Sequence, residues 1–131
     1  MRILRLSELK SRLETQKIEL HDPMYGKDKS YAAFELRDVL RIGFGSDWEN
    51  GYYSDAVFIA LDGYEAVSPI SILNEHGGYI VYSDLDAPEW EPVGRVKANP
   101  GPFYLVWTGG TQTTKNGYPW PWQLSEINLV K

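Results

Sequence analysis

A chain of 131 residues falls in the ordinary range of one domain and is long enough to bury a single core without covalent staples. With 43% hydrophobic and 24% charged residues it is neither a disordered chain nor a membrane span, and a net charge of −5 argues against a phosphate backbone as partner, so no nucleic acid is expected. The absence of cysteine removes disulfides, thiolate nucleophiles, iron–sulfur clusters and cysteine-ligated zinc together.

Leu6, Leu9 and Leu13 recur at helical spacing behind Ser7, which predicts a first helix over 7–14 with Ser7 as its N-cap. The basic side chains around it, Arg2, Arg5, Lys10, Arg12 and Lys17, are interleaved with Glu8 and Glu14 and read as a solvated face. No apolar run of signal-peptide type opens the chain as given. Gln16 to Leu20 alternates and predicts a strand that stops at His21-Asp22-Pro23. Met24 to Ser30 is polar, contains Gly26 and predicts a surface loop. Leu36, Val39 and Leu40 share one helical face, and the helix they define should end at Gly43 or Gly45.

Ala56 to Leu61 is a continuous apolar run of strand length, predicting a central strand covered on both faces. Asp62-Gly63 should turn it back into a hairpin with Tyr64 to Val67. Pro69 suits the first position of a short helix that turns Ile70 and Leu73 inward and breaks at Gly77-Gly78. Strands are expected at 79–82, 103–107 and 127–130. The order of elements predicts one soluble α+β domain over residues 1–131, with a mixed β-sheet and short helices.

Motifs for chemistry are sparse. His21 and His76 are far apart in sequence and lack metal-ligand spacing, so no metal site is assigned. Asp84, Asp86, Glu89 and Glu91 surround Trp90 without the pattern of a calcium loop and read as solvated charges with the indole tucked beneath. None of the serines lies in a nucleophile elbow, and the glycine pairs lack the helix or lysine of a phosphate loop. The aromatic set Tyr104, Trp107, Tyr118, Trp120 and Trp122 supplies packing, with some of its members free to line a concave site.

Taken in order, DPMYGKDKSYAAFELRDVL, VFIALDGYEAVSPISIL, GGYIVYSDLDAP, NPGPFYLVW and PWPWQLSEINLV resemble the molybdopterin-binding oxidoreductase domain of sulfite oxidases and related periplasmic reductases. The resemblance spans Ile18 to Val130 and implies a sulfite-oxidase-like architecture with its helix entry at Tyr31 to Leu40. It also implies a metal-ligating cysteine near Met24 to Ser30, and here it fails: the chain has no thiolate, and the arginine expected in the late element is replaced within Gly101 to Trp107. By the same resemblance Tyr64 matches a tyrosine near the substrate pocket.

Two functions follow as expectations. The preferred one is a non-catalytic relative, without cofactor, whose pocket or aromatic rim takes a small ligand or a redox protein partner. The alternative is an oxidoreductase or redox-enzyme subunit that holds molybdopterin without a thiolate bond. Candidate ligand-binding residues are Tyr25 and Lys27 in the loop, Tyr64 at the turn, and Trp107 and Trp120 from the aromatic set; no catalytic or metal-binding residue is assigned. The resemblance implies a periplasmic location and leaves a cytoplasmic one open.

Overall fold

The computed structural model describes residues 3–131. Its elements are α1 (Leu6–Arg12), β1 (Gln16–Asp22), β2 (Lys27–Glu35), α2 (Leu36–Phe44), β3 (Asp55–Ala60), β4 (Glu65–Pro69), α3 (Ile70–Leu73), β5 (Gly78–Asp84), β6 (Tyr104–Trp107) and β7 (Leu124–Val130). The fold is α+β, with short helices on curled antiparallel sheets. Instead of one mixed sheet there are two, ordered β1-β2-β5-β6 and β4-β3-β7, and every strand pairing within them is antiparallel. Strand periodicity shows which face is buried but not which strands pair, so the division into two sheets had no signature in the pattern.

The expected loop from Met24 to Ser30 is the main correction. Only its first three residues turn; Lys27 to Ser30 already pair with β1, from Asp22↔Lys27 to Glu19↔Ser30. Tyr31 to Glu35, read as a helix entry, continues the same strand. The hairpin tip closes on Asp22, whose carbonyl accepts the amides of Tyr25 and Gly26 at 3.2 and 2.8 Å and whose Oδ1 accepts that of Met24 at 2.8 Å. Those bonds satisfy the turn internally, and they require the chain to reach Asp22 in extended form, two residues beyond the predicted end of the strand.

α2 ends as its glycines suggest: Gly45 sits at φ 88° and returns its amide to the Arg41 carbonyl at 2.9 Å. In α1 the N-cap is Arg5, whose side chain makes no capping bond, and Ser7 lies within the first turn. Pro69 ends β4 and caps α3, one position before its expected place. α3 stops at Leu73, with Asn74 as its C-cap, before the expected break at Gly77-Gly78.

β3 is central to the second sheet but is covered on one face only. Ala56, Phe58 and Ala60 are buried while Val57 and Ile59 remain half-buried, because among the described residues no layer lies over their side of the sheet. Residues 121–124 link the sheets. Leu105 donates its amide to Pro121, Leu124 donates to Phe103, and Leu124 then pairs with Ala60. The core between them combines Leu36 and Leu40 of α2, Phe34, Phe58 and Leu73 with all four residues of β6. Trp48, within a stretch that reads as a simple connection, is also buried there.

Candidate functional site

The densest polar chemistry lies near the tip of the β1–β2 hairpin. Alternation along β2 turns Lys29 inward with Tyr31, and its side chain is fully buried. Its Nζ donates to Asp84 Oδ2 at 2.8 Å and to Glu91 Oε1 at 2.9 Å, and it lies 4.8 Å from the centre of the Tyr25 ring. Burial alone would depress the Lys29 ammonium, but the hydrogen bonds to Asp84 and Glu91 outweigh it and hold its pKa above the ordinary lysine value. Glu91 also takes Lys27 at 2.8 Å, so one carboxylate bridges two ammonium groups. The hydrogen bonds from Lys27 and then Lys29 hold its pKa below the usual glutamate value.

A second carboxylate, Asp22, is wholly buried beside this cluster. It accepts the Tyr31 hydroxyl at 2.6 Å and the Tyr104 hydroxyl at 3.0 Å. Burial, and after it the neighbouring Asp22, pushes both phenols well above the ordinary tyrosine range. Tyr25 is raised by burial and by Asp84, and its hydroxyl donates to the Glu91 carbonyl at 2.6 Å.

The acidic loop therefore differs from a set of solvated charges. Asp84 and Glu91 are bound to lysine because the inward cation of β2 needs counter-charges from the neighbouring strand and loop, and Asp86 accepts the Ser30 amide at 2.7 Å. Glu89 is exposed as expected. Trp90 packs partly buried over Gly101, where any Cβ would collide with its indole. Beside the cluster opens a groove of about 570 Å³ whose charged rim includes Glu19, His21, Lys27, Asp28, Asp86 and Glu91. His21 Nδ1 lies 3.1 Å from Asp28 Oδ1 on this rim.

The structure brings together Tyr25 and Lys27 alone among the candidate residues. Tyr64 is 62% exposed on the β3–β4 turn of the other sheet. Trp107 and Trp120 are packed in the core, their indole N–H groups given to the Pro119 and Gln112 carbonyls at 2.8 and 3.1 Å. Sequence reading missed Asp22, Lys29, Tyr31 and Asp84 as a unit. A lysine two positions before Tyr31, on the same strand face, was the one available signal.

The molybdenum cofactor implied by the resemblance would need a thiolate at the hairpin. In its place stand a self-bonded turn and a lysine whose donors are taken by this chain's own carboxylates, so the residues present do not fit that group. Among the described residues no three His, Asp or Glu side chains are placed to hold a metal ion, and no helix is long and apolar enough to cross a membrane. No family model matches the chain, and no curated protein matches it at a significant level.

Proposed function

We propose that the chain is a non-catalytic relative of molybdopterin-dependent oxidoreductases, and that its hairpin groove binds a small, positively charged polar ligand. The observation that carries this reading is the Lys29 cluster. Where an oxidoreductase of that kind would hold its metal, this chain holds an internal ion network, and Glu91 already occupies both lysines beside the groove. The remaining rim charges, Glu19, Asp28 and Asp86, are carboxylates, so the balance left for a ligand is negative. The kinship itself rests on the order of sequence motifs, from DPMYGKDKSYAAFELRDVL through VFIALDGYEAVSPISIL to PWPWQLSEINLV.

Titration of the ¹⁵N-labelled protein with spermidine and arginine, against citrate and glutamate, tests the ligand class. Shifts at Glu19, Asp28 and Asp86 with the cations, reduced in Glu19→Gln and Asp28→Asn, are expected. Response to the anions alone would sink the reading. Metal analysis and fluorescence of an extracted pterin test the other half: stoichiometric molybdenum with turnover of sulfite or a sulfoxide would return the chain to the enzymes.

A further inference from the structure

The outer face of the second sheet carries a separate surface. Register places Val67, Val57 and Asn128 in one row across it, with Pro69, Asp55 and Val130 on one side and Glu65, Ile59 and Glu126 on the other. Val67 is 63% exposed and Val130 43% exposed, and beyond the third row Leu61 is bare as well. A β-branched patch on a central strand ordinarily lies under another layer, and a contiguous apolar patch with a polar border marks an interaction surface.

The charges on this face select the occupant. Asp55, Glu65 and Glu126 flank the apolar set of Val57, Val67 and Ile59, and none of the nine positions is lysine or arginine. A second copy laid symmetrically on the face would set carboxylates against carboxylates in a chain that already carries −5. An anionic lipid surface would meet the same repulsion. A partner with an apolar centre and a basic border meets none.

We propose that the outer face of the β4-β3-β7 sheet docks a partner protein through an apolar patch bordered by lysine and arginine. This site is independent of the hairpin groove, which lies on the other sheet.

The full chain, ¹⁵N-labelled, is titrated with a short amphipathic Lys/Leu peptide as probe and with its Glu/Leu counterpart. Expected are amide shifts centred on Val57, Ile59, Val67 and Asn128 with the basic peptide only, and an affinity about tenfold weaker in Val67→Asn and in Glu126→Lys. Both substitutions fall at exposed positions, and an unchanged spectrum elsewhere certifies their fold. The double variant Glu19→Gln/Asp28→Asn, which disables the groove, should bind the peptide as the parent does. Shifts centred on the groove, equal binding of both peptides, or no binding would overturn the proposal. So would a concentration-dependent dimer lost in Val67→Asn, or flotation with phosphatidylglycerol vesicles lost in the same variant.

Discussion

Replacing Lys29 by methionine leaves Asp84 buried without its cation, a change expected to cost about 3–5 kcal/mol because the surviving charge is uncompensated. Combining Lys29→Met with Asp84→Leu removes both charges, and urea unfolding should recover a large part of that loss. Equal loss in the double variant would mean that packing, and not charge, governs the site. Glu91 behaves differently because it reaches water. Its pKa is lowered in the folded state, so its contribution is complete above the ordinary value of 4.5 and fades as pH falls through the lower folded value. The melting temperature of Glu91→Gln should therefore lie below that of the parent at pH 7, and the difference should narrow as pH falls below 4.5 through the lower folded value. A gap that persists there would assign the effect to shape.

At the scale of elements, β3 separates two kinds of apolar residue that looked alike in sequence. Phe58 is fully buried, and Phe58→Ala is expected to cost about 3–5 kcal/mol. Val57, on the bare face, should lose well under half of that on truncation to alanine; chemical denaturation of the two variants checks the contrast. The run from Ala56 to Leu61 announced a strand and its central place, since apolar side chains fill every position. Whether both faces are covered depends on a layer contributed by other parts of the chain, and this the run cannot encode. β2 was obscured for the opposite reason. Lys27, Asp28, Lys29 and Ser30 carry a loop's composition, yet Lys29 occupies an inward position because carboxylates from residues distant in sequence neutralise it. The helix of Leu36, Val39 and Leu40 and the hairpin at Asp62-Gly63 were readable because their determinants are local.

For the whole molecule, the hairpin cluster ties stability to high pH as well as low. Tyr25, Tyr31 and Tyr104 keep their protons above the ordinary tyrosine value of 10.0, and Lys29 keeps its own above 10.5. The unfolded chain releases these protons sooner, so stability falls as pH rises through about 10. In a 295 nm titration three of the nine tyrosines should stay silent until circular dichroism reports unfolding. Smooth ionisation of all nine in the folded protein would contradict the buried network. Because residues 121–124 hydrogen-bond into one sheet and continue into the other, the two sheets share a strand connection. The aromatic content, read first as packing with room for a concave site, is spent largely on the core between them, and the accessible polar groove lies at the hairpin.

The packing of Trp90 over Gly101 has an optical consequence. The indole neighbours the one carboxylate that joins Lys27 and Lys29 to the 84–91 segment, so it is placed to report on whether that segment is fastened down. Acidification that neutralises Glu91 should move part of the tryptophan emission to longer wavelength before the far-ultraviolet signal changes. The molecule thus contains its own fluorescent gauge for the loop beside the groove, readable without a label.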